Sequence, residues 1–230
     1  MKVALVAIVK NESNLAEWLC YHTKIGFDKI YLLTNDWTPN VSEGYEIMPY
    51  NGRGIQVMAY NCWIERYGHL YDYAAFIDAD EFIFIQEPGA KVQDILVDRC
   101  LALNWVFFGT KTEPGNNVVD RFVYRDANAD RHIKTIMKLE PGVKMLSPHF
   151  CNAPTYSTIG ECVVGPFSKL PTVVGAFIAH YYYQDYEHWK RKIARGRADS
   201  IKYKRTLQEW NAVDYNKVRD ERLKLFLYGN

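Results

Sequence analysis

Cysteine is scarce and scattered. The five in this chain of 230 residues are Cys20, Cys62, Cys100, Cys151 and Cys162, and no two are spaced Cys-x-x-Cys. An odd number without paired spacing argues against a disulfide framework and against a thiolate zinc site. A reducing, cytoplasmic setting is the simplest expectation. Charge of one sign is also missing, with 28 Lys and Arg against 27 Asp and Glu. A formal net charge of +1 creates no broad field for nucleic acid, so no nucleic-acid partner is expected. Long apolar runs are absent too, none reaching the ~18 residues needed to span a bilayer. Residues 1–9 are apolar but short, and they run into Lys10-Asn11-Glu12 instead of a small-residue cleavage site. They read as a first strand, not a signal peptide. No internal repeat, low-complexity linker or domain boundary interrupts the chain.

Hydrophobic residues make up 48% of the chain and aromatic residues 15%. That content and length fit one large domain, residues 1–230, with a full core. The N-terminal half alternates between two patterns. Residues 3–9 form a continuous apolar run, as in a strand buried on both faces. Ser13 or Asn14 can cap a helix through Leu15, Trp18, Leu19 and His22, ending near Gly26. Lys29-Ile30-Tyr31-Leu32-Leu33-Thr34 reads as a second strand and Tyr45-Glu46-Ile47-Met48-Pro49 as a shorter third. Residues 55–67 have helical periodicity, and residues 74–78 form another strand. This order predicts an α/β fold with a mainly parallel sheet flanked by helices on both faces. Residues 105–109 predict a short strand, residues 131–139 a mixed segment, and residues 148–150 the end of a strand-like stretch. Residues 172–180 form an apolar run ending at His180. The spacing then predicts helices over residues 187–195, 207–210 and 218–227, a helical C-terminal region. Its Lys and Arg alternate with acids, which suits a solvated face and limits membrane contact to the peripheral kind.

Ligands on parallel sheets bind beyond the carboxyl ends of the strands. Asn11-Glu12, Asn35-Asp36 and Asp78-Ala79-Asp80 all fall at such ends. The last is the most informative. Two carboxylates one residue apart repel unless a cation or donors hold them. Here they sit between two apolar runs, Tyr73-Ala74-Ala75-Phe76-Ile77 and Phe82-Ile83-Phe84-Ile85. Hard divalent metals take oxygen ligands and bridge to phosphates, so the pattern is a candidate metal–diphosphate site. The competing explanation is a solvated turn in which Asp80 or Glu81 caps a helix.

Several motifs then line up in order: Lys10-Asn11-Glu12 with Glu17-Trp18-Leu19 and His22; Gly54-Ile55-Gln56 with Ala59-Tyr60-Asn61-Cys62; Asp78-Ala79-Asp80-Glu81-Phe82; Trp105 to Gly109; and His180-Tyr181 followed by Lys192 and Arg195-Gly196. From about residue 3 to about residue 200 the chain resembles glycosyltransferases of the GT-A fold, in the family 2-like and family 92-like group. The resemblance implies a Rossmann-like GT-A domain with a nucleotide-sugar-binding half (1–110), an acceptor-side half (111–180) and a helical C-terminal region (181–230). It implies a Mn²⁺- or Mg²⁺-dependent hexosyltransferase, expected to be inverting, that uses a nucleotide sugar, most simply a UDP-sugar, and a glycan or lipid-linked acceptor of polysaccharide biosynthesis. Asp80 would ligate the metal directly, and Asp78 the metal or a ribose. His180 would be the second ligand, the alternative being a core histidine. Lys192 and Arg195, with Arg197 behind them, would grip the diphosphate. Asn11, Glu12, Asp36 and Gln56 would hold the nucleoside, although Asn11 and Glu12 also suit helix capping. Glu113 is the candidate catalytic base, with Glu81, Asp120 and Glu161 as rivals. Relatives tend to carry Gly-His where this chain has Thr112-Glu113. Two other functions stay open. A sugar-phosphate nucleotidyltransferase shares the architecture, but residues 9–14 lack the Gly-rich phosphate loop it needs. A silent carbohydrate-binding protein of the same fold would bind glycan and ignore UDP.

Overall fold

The computed structural model describes every residue except 36, 41–43, 53, 197–203 and 230. The expected N-terminal elements form: strand β1 (Val3–Val9), helix α1 (Leu15–Lys24), β2 (Lys29–Thr34), β3 (Glu46–Pro49), helix α2 (Gln56–Tyr67) and β4 (Tyr73–Phe76). β5 (Glu81–Ile85), β6 (Cys100–Phe107), the short helix α3 (Val118–Arg121), β7 (Tyr124–Arg125) and β8 (Ile133–Lys138) follow. After β9 (Thr155–Ser157), β10 (Cys162–Val163) and β11 (Ala176–His180) come α4 (Tyr186–Arg195), α5 (Leu207–Asn211), β12 (Val218–Arg219) and α6 (Arg222–Tyr228).

The sheet is mixed and mostly parallel, in the order β10-β9-β6-β8-β4-β1-β2-β3. β3, β2, β1 and β4 run parallel, while β8 lies antiparallel between β4 and β6. β11 joins β6 in parallel and β5 antiparallel. The expectation of a mainly parallel sheet thus holds for the N-terminal strands and gives way where β8 enters. The mixed segment is this strand, with residues 133–137 wholly buried. The stretch around Pro148 is a loop instead of a strand end. The last predicted helix begins later than expected. Val218–Arg219 pairs with β7, and Asp220 accepts from the Arg222 backbone N–H and side chain, starting α6 there.

β1 explains its own composition. Val3, Leu5, Ala7 and Val9 face the core that contains Trp18 and Leu19 of α1, whereas Ala4, Val6 and Ile8 face the one that contains Ala59, Tyr60 and Trp63 of α2. A strand covered on both faces has no place for alternating polarity. Among the described residues no helix is long and apolar enough to cross a membrane, and all five cysteines are free thiols.

α1 also solves a problem at β5, which among the described residues pairs only with β11. Its other edge is served by side chains. Trp18 Nε1 donates to the Glu81 carbonyl (2.7 Å), Tyr21 Oη donates to the Ile83 carbonyl (2.8 Å), and the Ile83 N–H lies 3.4 Å from His22 Nε2. His22 Nδ1 faces the Trp18 carbonyl at 2.8 Å, which sets the tautomer with a bare Nε2. The backbone groups leading away from the acid turn are thereby satisfied without a neighbouring strand.

Burial lowers His22 to about 3. It is therefore neutral in the fold but takes up a proton on unfolding below its ordinary value of about 6.5. Its contribution to stability is complete above that pH and is lost as pH falls toward 3. Urea melts from pH 4 to 6 will show stability rising with pH. His22→Gln will lower the slope by about 1.4 kcal/mol per pH unit, one proton's worth. An unchanged slope in the variant would refute the assignment.

Candidate active site

Asp78 and Asp80 stand in the turn between β4 and β5, and Glu81 folds that turn. The Glu81 N–H donates to the Asp78 carbonyl (3.1 Å), and the Asp78 N–H donates back to Glu81 Oε2 (2.8 Å). Lys134 of β8 enters from beside β4, its Nζ 3.0 Å from Asp78 Oδ2 and 3.3 Å from Glu81 Oε2. Its side chain is 1% exposed and that of Glu81 is fully buried. Burial works against the Lys134 charge, but Asp78 and Glu81 outweigh it and hold the ammonium above its ordinary value. Burial pushes Glu81 well up, against the pull of Lys134. Gln56, the first residue of α2, donates from Nε2 to Asp78 Oδ1 and to Tyr60 Oη, both at 2.9 Å. Both oxygens of Asp78 thus have donors.

Asp80 faces the other way. Its Oδ2 accepts from Lys192 Nζ of α4, and its Oδ1 is 3.6 Å from His180 Nε2 at the end of β11. Burial raises the Asp80 carboxyl, but Lys192 and His180 more than offset this and hold it well below the carboxylate range. Burial also lowers Lys192, with Asp80 opposing. His180 is lowered by burial despite Asp80, so it offers a neutral nitrogen. Lys192 donates as well to the Tyr182 carbonyl (2.6 Å) and is 2% exposed, so it does not belong to a solvated helix face. Asp185 caps α4 by accepting from the His188 N–H at 2.8 Å, which fixes the helix that delivers Lys192 and Arg195. Arg195 Nη1 bonds Glu12 Oε1 (2.6 Å) and the Lys10 carbonyl (2.7 Å), tying α4 to the end of β1. Burial raises Glu12 and Arg195 opposes it.

These groups border a cavity of about 490 Å³ beyond the ends of β1, β2 and β4, the expected place for a ligand on such a sheet. Lys10, Lys192, Arg195, Lys204 and Arg205 line it against Glu12, Asp78 and Asp80, an excess of positive charge. Among the described residues, Lys10 and Arg205 bond the neutral partners Asn35 Oδ1 and Tyr182 Oη. Trp105 and His149 form part of the wall.

The structure therefore brings together Glu12, Gln56, Asp78, Asp80, His180, Lys192 and Arg195 around one cavity. Asn11 is exposed at its rim, with φ of 53°, and lines a neighbouring hollow instead. Asp36 and Arg197 lie outside the described residues. Glu113 is not at the site. After β6 the chain is drawn toward β7 and the C-terminal segment, with the Gly109 N–H donating to the Tyr124 carbonyl (2.8 Å). A Cβ at Gly109 would stand 2.2 Å from Asn216 Oδ1, so only glycine permits that approach. Glu113 ends there, accepting from Tyr124 Oη at 3.0 Å. The sequence reading of the site misses Lys134, although a lysine beside Ile133, Ile136 and Met137 is a signal, because burial forces it into an ion pair. Glu81, a cap or base candidate from the sequence, instead folds the acid turn.

As a cation source, Asp80 Oδ1 and His180 Nε2 form a reasonable pair of donors for a divalent ion, one hard oxygen and one neutral imidazole. Glu81 Oε1, buried without a hydrogen-bond partner, lies 4.0 Å from the same imidazole nitrogen. Among the described residues no group of three or more His, Cys, Asp or Glu has metal-binding geometry, so these residues would supply two ligands. No known family model matches the chain, and no curated protein is significantly similar to it.

Lys134→Met leaves Asp78 and Glu81 without their cation and will destabilise the protein by about 3–5 kcal/mol in urea melts. Adding Glu81→Gln will recover part of that loss. Additive destabilisation in the double variant would mean that Lys134 and Glu81 are not coupled.

Proposed function

We propose that this protein is a glycosyltransferase that transfers a hexose from a nucleotide sugar, a UDP-sugar in the simplest case, to a glycan or lipid-linked hydroxyl. The observation that carries the reading is the Asp80–His180–Lys192 cluster, set at the strand ends beside a cavity rich in cations. Such a cavity suits a diphosphate, which carries opposite charge and many acceptor oxygens. The order of motifs that resembles GT-A enzymes supports the same reading, as does the mixed, mostly parallel sheet.

Asp80 and His180 would hold a Mn²⁺ or Mg²⁺ ion, which when bound acts as a Lewis acid on the departing diphosphate. Lys192 is positioned beside them to bind a phosphate oxygen, and doing so requires it to share or leave its contact with Asp80. Arg195 orders the β1 end through Glu12, and Lys10, Lys204 and Arg205 supply further charge for the phosphates. Asp78, held from behind by Lys134 and Gln56 and 37% exposed, presents a carboxylate that can accept from a ribose hydroxyl. The protein thus places its positive charge where the leaving group gains negative charge, the arrangement that lowers the barrier to glycosyl transfer.

Hydrolysis of a panel of UDP- and GDP-sugars with Mn²⁺ tests the reading. One donor is expected to be hydrolysed slowly, with activity lost in EDTA and reduced by about 10²-fold or more in Asp80→Ala and His180→Ala. Glu113→Gln, which alters a residue that does not line the cavity, will leave that rate unchanged. A folded protein that binds no nucleotide sugar but binds free glycan would replace the transferase by a carbohydrate-binding protein.

A further inference from the structure

A transferase of the inverting kind needs a base for the acceptor hydroxyl, and the cavity carboxylates are poorly suited to that task. Glu12 is engaged by Arg195, Asp78 by Lys134 and Asp80 by Lys192. A cation held against a carboxylate reduces its appetite for a proton. Glu113 lies elsewhere.

A different assembly lies behind Trp105, a residue of the cavity wall, without lining the cavity itself. His132 Nδ1 lies 2.6 Å from Asp130 Oδ1, and the same oxygen accepts the His132 backbone N–H at 2.8 Å. The carboxylate therefore selects the tautomer with its proton on Nδ1 and leaves a lone pair on Nε2, the relation that turns an imidazole into a general base. The hydrogen bond from His132 keeps Asp130 below the ordinary carboxylate range, so it remains the acceptor in this pair. Two neighbouring residues of β6 hold the segment: the Trp105 N–H donates to the His132 carbonyl (3.0 Å), the Asp130 N–H donates to the Trp105 carbonyl (2.7 Å), and Asn104 Nδ2 donates to the Asp130 carbonyl (3.0 Å).

Trp105 connects this pair to the site. Its indole lines the cavity and touches the His180 ring at 4.4 Å between centroids, while the His132 ring is stacked on it at 4.7 Å and 18°. The His132 imidazole is thus one ring away from the candidate metal ligand. His132 and Asp130 are 37% and 38% exposed, which leaves room for a hydroxyl to approach. Phe107, two residues further along β6, is itself stacked on Tyr215 (4.9 Å) and on His180 (5.2 Å). Around the imidazole, the titratable or charged groups are Asp130 from its own loop, His149 at 5.7 Å between centroids, and Arg131, whose guanidinium lies over Phe167. Phe167 itself packs edge-on against the imidazole at 4.6 Å.

We propose that His132, oriented by Asp130, is the base that removes the acceptor's proton, an inference that rests on the transferase reading above. The acceptor O–H proton passes to His132 Nε2. The oxygen forms a bond to the anomeric carbon of the donor sugar as the bond from that carbon to the phosphate oxygen breaks, and the nucleoside diphosphate leaves with the electron pair. His132 then returns its proton to solvent. Asp130 is a positioning residue in this scheme, because it acts only through the imidazole.

The test uses water as the acceptor and whichever nucleotide sugar the wild-type protein hydrolyses. His132→Gln is expected to lower kcat by about 10²–10⁴-fold with the donor Kd unchanged. Added imidazole will restore part of the rate to His132→Ala, and Asp130→Asn will lower kcat while retaining donor affinity. Thermal melts establish that each variant is folded, and Asp130→Asn supplies a second route if His132 variants are not. A folded His132→Gln that hydrolyses the donor at the wild-type rate, or a folded His132→Ala that imidazole does not rescue, overturns the base assignment alone. A wild-type protein that binds no nucleotide sugar overturns the transferase reading and this inference with it.

Discussion

The ammonium of Lys134 is the constraint on which the site depends. Without it, the turn between β4 and β5 would set Asp78 beside the fully buried Glu81 with no cation between them. With it, the Glu81 carboxyl stays inside and accepts from the Asp78 backbone N–H, and the turn presents Asp78 and Asp80 in different directions. Buried ion pairs contribute little net stability, because desolvation consumes most of the attraction. Their stronger effect is on geometry, since a half-satisfied arrangement is costly and alternatives are thereby disfavoured. Lys134 lies on β8, the antiparallel strand between β4 and β6. The break in the parallel sheet is therefore also what brings the cation to the acids.

The second set of contacts joins the two ends of the chain. Lys192 reaches Asp80 and Arg195 reaches Glu12, both from α4, so that one helix closes the cavity over the ends of β1 and β4. Each pair neutralises an acid of the site and leaves other cations facing the cavity. The result is a cavity with an excess of positive charge, whose own carboxylates face cations. That distribution explains how a chain with a formal net charge of +1 can still concentrate positive charge in one place.

Much of the N-terminal half was legible because the relevant signals are local. Seven apolar residues in a row identify a strand covered on both faces, and both cores adjoining β1 bear this out. The acids at the end of β4 were conspicuous because they interrupt an apolar run and lie one residue apart. Later elements were harder. β8 reads as mixed because Lys134 and Thr135 sit among its apolar residues, and only their partners across the sheet explain them. Glu113 follows the end of a central strand closely in sequence, yet it lies against Tyr124 and not on the cavity, because the chain leaves the sheet at Gly109.

The sequence by itself determined the α/β alternation, the burial of β1 and the presence of paired acids at a strand end, because periodicity and short spacing act within a few residues. Only the tertiary structure decided which cations meet those acids. Lys134 lies 56 positions from Asp78, Lys192 lies 112 from Asp80, and Arg195 lies 183 from Glu12. Such distances carry no periodic signal, and the partners are set by strand order and by the docking of α4. The pairing of Asp130 with His132 is local, yet its relevance depends on Trp105 bringing that loop beside His180. Electrostatic attraction is strong only at close range and in a water-poor interior, and both conditions arise only once the chain has folded.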